Sequence, residues 1–180
     1  MAFLRTGHKW MSGGFGAAVL LMFTSAPTQA GAVRVGDVLP AVMFADWQGD
    51  TVQLAAPRAG VMIIDFWASW CQPCRAALPE LSAIGQRYAA AGLQVVTVNV
   101  DRTQARADDF LKAYVPAPTM TLLRDPGGAG LAHFGASGLP ALYVVDQRGV
   151  VRLVESGFTV ENLRAIDTFV GGLLSQGGNP

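Results

Sequence analysis

Asp65-Phe66-Trp67-Ala68-Ser69-Trp70-Cys71-Gln72-Pro73-Cys74 is the stretch on which the reading of this chain turns. The run before it, Val61-Met62-Ile63-Ile64, is apolar and β-branched enough to predict a buried strand. After it, Arg75 to Ala91 has helical spacing and helix-forming residues, which predicts a helix starting near Pro73. The only two cysteines therefore sit where a strand hands over to a helix. Such a junction aims backbone N–H groups and the positive end of the helix dipole at Cys71, which favours thiolate over thiol. Cys74 lies one turn further in, within disulfide reach and less exposed. A strand, a CxxC pair and a helix in that order predict a redox site.

Other uses of a CxxC pair compete with that reading. A structural disulfide would close a loop of only four residues. Chain entropy credits such a loop with about 2 kcal/mol, and its geometry is tight. A metal site needs further ligands, and the only histidines are His8 and His133. His8 falls in a segment expected to be removed, and His133 reads as an ordinary, partly exposed helix residue. Attachment of c-type haem requires a histidine after the second cysteine, where Arg75 stands. The expectation is redox chemistry with no metal and no cofactor. A copper or zinc carrier that uses the thiolates as soft ligands is the alternative from another class.

At 180 residues the chain fits one domain with a sizeable core. Charge is balanced at 13 basic and 13 acidic residues, and no basic block points to nucleic acid. Two cysteines do not make a disulfide scaffold.

Residues 1–30 read differently from the rest. Arg5, His8 and Lys9 make a positively leaning start, the chain up to Phe23 is apolar or small, and Thr28-Gln29-Ala30 offers small residues before Gly31. This is a secretory signal pattern, with cleavage predicted after Ala30 and a single domain over residues 31–180. The alternative is an uncleaved membrane anchor, for which the apolar segment is short against a span of about 20 residues. Membrane contact is expected only in that case. Cleavage removes Arg5 and Lys9 and leaves 11 basic against 13 acidic residues. An extracytoplasmic compartment such as the periplasm follows.

In the mature chain, Val42–Trp47 and Thr51–Leu54 flank Gln48-Gly49-Asp50 and predict a hairpin. The helix after the cysteines carries Leu78, Leu81, Ile84 and Tyr88 on one side, contains Pro79, which should kink it, and ends at Gly92. Leu93–Val100 is a second buried strand, parallel to the first because a helix crosses between them. Gln104–Tyr114 predicts a helix with Phe110, Leu111 and Tyr114 inward, stopped by Pro116 and Pro118. A short strand over Met120–Arg124 and a short helix over Ala129–Phe134 come next. Leu142–Asp146 and Val150–Val154 form a hairpin around Gln147-Arg148-Gly149. A last helix begins at Thr159 and frays from Gly171.

This order resembles a thioredoxin-like fold: α/β, a central mixed sheet flanked by helices. The stretch Asp65–Cys74 resembles the thioredoxin active-site signature, Pro79 matches its helix-kink position, and Gly138-Leu139-Pro140-Ala141 resembles the loop carrying the family's cis-proline. The resemblance covers roughly residues 36–175. An N-terminal β-hairpin, a central insertion around residues 116–134 and a secretory signal resemble the TlpA/ResA-like group of exported thiol–disulfide oxidoreductases. That likeness implies reduction of protein disulfides, in cytochrome c maturation or copper-site assembly, with electrons from a membrane thiol carrier. An oxidase or isomerase would use the same residues.

Cys71 is then the nucleophile, with a thiol pKa below the ~8.5 of free cysteine, and Cys74 resolves the mixed disulfide. Asp65, by position and by resemblance, is a buried carboxylate of raised pKa that accepts the Cys74 proton through water; the other reading is a hydrated strand-end aspartate. Trp70, Pro73, Leu139 and Pro140 are the candidates for substrate contact. Some members of the group use an acidic residue just after the second strand. Here that neighbourhood reads Val100-Asp101-Arg102, and no role is carried over to Asp101.

Overall fold

The computed structural model describes residues 32–115 and 118–177. The predicted signal segment, its cleavage point, His8 and Pro116 lie outside the described residues. The elements run β1 (Val42–Asp46), β2 (Thr51–Leu54), β3 (Val61–Trp67), α1 (Gln72–Tyr88), β4 (Leu93–Asn99), α2 (Gln104–Tyr114), β5 (Thr121–Arg124), α3 (Ala129–His133), β6 (Ala141–Asp146), β7 (Val151–Ser156) and α4 (Val160–Gly177).

One seven-stranded sheet has the order β2-β1-β5-β4-β3-β6-β7. The strands β3, β4 and β5 are parallel, while β6 pairs antiparallel with β3, and β7 with β6. The N-terminal hairpin joins this sheet through the inserted strand, by Ala45 opposite Arg124 and Asp46 opposite Leu123. The two departures from a minimal fold are therefore one structural unit. The hairpin has a sheet edge to extend only because the insertion supplies β5.

Every residue of β3 is buried, which is why it reads as a continuous apolar run rather than an alternation. Its alternate side chains feed two cores. Val61, Ile63 and Trp67 pack with Leu78, Leu81 and Ile84 of α1, Phe110 of α2, and Leu163, Ile166 and Val170 of α4. Met62, Ile64 and Phe66 face the other way, towards Phe44, Phe134 and Tyr143. There the Phe66 and Phe134 rings meet edge to face at 5.1 Å, and the Tyr143 hydroxyl donates to the Phe134 carbonyl at 3.1 Å. The lead-in to β1 straps this second face. Val33 N–H bonds the Phe134 carbonyl, and Leu39 N–H bonds the Gly149 carbonyl on the opposite edge of the sheet.

The parallel pairing of β3 with β4 agrees with the expectation from the crossing helix. Pro79 lies inside α1, which continues across it. A short 3-10 turn, Ala89–Ala91, then ends at Gly92, whose φ of 90° is a left-handed cap that suits glycine. Two expectations fail. Tyr114 is 47% exposed rather than inward, because α2 ends there and the ring lies over Phe110 instead of entering the core. The last helix does not fray at Gly171. A Cβ at Gly171 would stand 2.9 Å from the Tyr88 hydroxyl, so glycine there permits the close crossing of α4 on α1. Leu173 and Leu174 continue packing on the core beyond it.

Candidate active site

The chain leaves β3 at Trp67, makes a three-residue turn, and enters α1 at Gln72 with Cys71 as its N-cap. Cys71 N–H donates to the Ala68 carbonyl at 3.0 Å, which closes the turn. The Cys74 amide donates to Cys71 Sγ at 3.3 Å. An N-cap normally offers an oxygen to these orphan amides; here a sulfur takes that place and collects the field of the helix N-terminus. Pro73 stands in the first turn, where its missing N–H removes no helical bond. The two sulfurs are joined in a disulfide with Cα atoms 5.3 Å apart. Cys71 retains 4% exposure and Cys74 none, the order expected from the sequence.

Asp65 faces the same side of the sheet as Ile63 and Trp67, the side on which both cysteines and α1 pack. Its ladder neighbours are Thr97 on β4 and Leu142 on β6. It is fully buried, and neither carboxyl oxygen has a hydrogen-bond partner among the described residues. Desolvation by burial therefore holds its pKa well above the usual carboxylate range. The hydrated strand-end reading is excluded by this burial. The Thr97 hydroxyl and Trp67 Nε1 are likewise buried without partners. Asp65, Trp67 and Thr97, on one face of the sheet, thus carry four unpaired polar atoms among the described residues.

The remaining predicted residues divide. Trp70 is 63% exposed beside Cys71. The Leu139–Pro140 bond is cis, and Pro140 leads directly into β6, whose Ala141 pairs with Phe66. Leu139 and Pro140 thus stand at the same end of the sheet as the disulfide. His133 closes α3, which packs against β1 on the opposite face, and takes no part.

Sequence reasoning left Asp101 without a role, and the structure gives it a structural one. It is buried, and its carboxylate accepts from Ser69 N–H at 2.8 Å, Ser69 Oγ at 3.0 Å and Asn99 Nδ2 at 2.8 Å. Asp101 N–H donates back to Asn99 Oδ1 at 3.0 Å. This cluster pins the turn before Cys71 to the end of β4. The signal in the sequence was the pair Asn99 and Asp101, polar residues two apart at the end of an apolar strand. Among the described residues no group of three or more His, Cys, Asp and Glu is placed to hold a metal ion.

A mixed sheet whose central strand hands over to a CxxC-capped helix defines the thioredoxin-like class. Residues 35–154 match the AhpC/TSA family, and the chain belongs to that family. Among curated relatives, a protein of Geobacillus thermodenitrificans named thiol-disulfide oxidoreductase ResA is 25% identical, over 76% of this chain and 78% of its own length. A Chlorobium tepidum crystal structure named as a thiol:disulfide interchange protein of the DsbE type is 31% identical with a TM-score of 0.73, and it covers 79% of this chain and 99% of that one. The thioredoxin domain of a Bacteroides vulgatus thiol-disulfide oxidoreductase shares the fold at 22% identity, with a TM-score of 0.64 over 77% of this chain and 99% of that one.

Proposed function

We propose that this chain is a thiol–disulfide oxidoreductase that reduces disulfides of partner proteins outside the cytoplasm. The observation that carries the reading is the placement of Cys71: N-cap of α1, an amide at its sulfur, and Cys74 buried behind it. The names of the relatives support it. In the reduced protein the Cys71 thiolate attacks a partner disulfide, forming an S–S bond to one partner sulfur and expelling the other as thiolate. Cys74, as thiolate, then attacks Cys71 Sγ. That step re-forms the Cys71–Cys74 bond and releases the second partner thiolate. Two electrons pass to the partner, and its two thiols take up the two protons.

Asp65 would take the proton from the Cys74 thiol; it lies on the sheet face that packs Cys74, and neither of its oxygens has a partner among the described residues. Leu139, Pro140, Trp70 and Pro73 are the residues that would meet the partner segment; the cis Leu139–Pro140 bond at the same end of the sheet and the exposure of Trp70 support this. Restoring the dithiol requires a second dithiol donor, and a membrane thiol carrier fits a compartment that is itself oxidising. Location outside the cytoplasm rests on the signal pattern of residues 1–30. Among the described residues no helix is long and apolar enough to cross a membrane. Cytochrome c maturation or copper-site assembly is the process such a reductant would serve.

Trapping tests the assignment. Cys74→Ser should hold its partner as a stable mixed disulfide on Cys71, while Cys71→Ser should trap almost nothing; mass spectrometry of the adducts names the substrate. Equal trapping by both variants would overturn this assignment of roles. A reduction potential near the −120 mV of strongly oxidising DsbA would argue for an oxidase instead.

A further inference from the structure

Trp70 borders a pocket of about 480 Å³ whose other walls are Val100, Asp101, Arg102, Thr103 and Arg106. Arg106 also lines a neighbouring pocket with Ser69, Arg75, Asp109, Phe110 and Tyr114. Three arginines thus line the two pockets beside Ser69 and Trp70, the residues that lead into Cys71, in a chain whose overall charge is balanced. All three residues are exposed. Among the described residues the ion pairs are Arg87 with Asp167 and Arg152 with Asp146, so Arg75, Arg102 and Arg106 have none. Two acids lie nearby. The Asp101 carboxylate is buried and committed to Ser69 and Asn99, and Asp109 lines only the second pocket. The first pocket therefore presents two guanidiniums that form no ion pair, and an indole, on the surface beside the disulfide.

Resting on the proposed reductase reading, we infer that this surface selects partner proteins carrying an Asp or Glu side chain beside the cysteine to be reduced. Guanidinium groups bind carboxylates in a bidentate fork, and an exposed indole gives the adjoining peptide a flat apolar seat. Exposed charges of this kind act mainly on encounter and on partner choice. Their contribution must fall as salt screens it.

The test uses the reduced full-length protein and three short peptides, each closed by one internal disulfide. The peptides are identical except for Glu, Gln or Lys at the positions flanking the attacked cysteine, and the second-order rate constant is read for each. At an ionic strength of about 0.01 M the Glu peptide should react at least about fivefold faster than the Lys peptide. At about 1 M, where the Debye length is ~3 Å, the ratio should approach one. The double variant Arg102→Gln/Arg106→Gln should lose the preference at low salt. Arg58→Gln, before the N-terminal end of β3 and so at the opposite end of the sheet, should keep it. Equal rates for the three peptides, or a preference that survives in the double variant, would overturn this inference and leave the reductase reading standing. Failure to reduce even the Gln peptide would overturn both.

Discussion

Asp65 and Thr97 lie side by side across the β3–β4 ladder, fully buried, and none of their three side-chain oxygens has a partner among the described residues. An uncompensated buried carboxyl is costly in its charged form and tolerable in its neutral one. Its presence on the face that packs the disulfide fits the proton-accepting role proposed for it, and the variants below test that role.

The pH dependence of stability follows with a definite sign. Burial raises the Asp65 pKa in the folded state, so the native protein holds this proton after the unfolded chain has lost it. Between the unfolded value of about 3.9 and the raised folded value, the native state binds more protons and stability falls as pH rises. Asp65→Asn should abolish that fall and melt at or above wild type at neutral pH. Urea midpoints for both proteins at mildly acidic and at neutral pH check this. Turnover of the same variant should drop by about a hundredfold if the carboxyl takes the Cys74 proton. A much less stable yet fully active variant would make Asp65 structural.

Asp101 should behave in the opposite way. Asp101→Ala leaves the Ser69 and Asn99 donors buried or half-buried without their acceptor, at a cost of about 2–3 kcal/mol. Asp101→Asn keeps one acceptor oxygen and should cost less. Because the turn before Cys71 loses its anchor, disulfide exchange should slow in step with the loss of stability. Chemical denaturation and exchange rates measured on both variants read the two effects together.

The packing of α3 against the hairpin offers a test of the fold itself. A Cβ on Gly130 would collide with the Phe44 ring, whereas one on Gly127 would meet nothing within 4 Å. Gly130→Ala should therefore lose about 1–3 kcal/mol through overpacking. Gly127→Ala should be neutral or gain a few tenths of a kcal/mol. Equilibrium unfolding of the pair separates a steric effect from a general effect of replacing glycine.

Much of this molecule is local, and the local part was legible. The strand–CxxC–helix unit follows from β-branched residues running into a proline at the first helical turn, and the sheet around β3 follows from its unbroken apolar run. The helix boundaries that went wrong depended on distant contacts. Gly171 reads as a stop until Tyr88, on another helix, is seen to need the space it leaves. Tyr114 reads as core by spacing, but α2 ends before the ring can be covered.

The amino-acid sequence by itself determined that two cysteines cap one helix, which of them is deeper, and that a carboxyl lies on the strand beneath, because chain direction and period-two alternation are properties of neighbours along the chain. Only the tertiary structure decided what surrounds that carboxyl. Thr97 reaches Asp65 through a parallel register, Asp101 reaches Ser69 across 32 residues, and Arg102 and Arg106 come to the mouth beside Trp70 because β4 and α2 end and begin there. Each of these contacts joins segments far apart in sequence, and burial, which sets the charge state of Asp65, is a property of the assembled core.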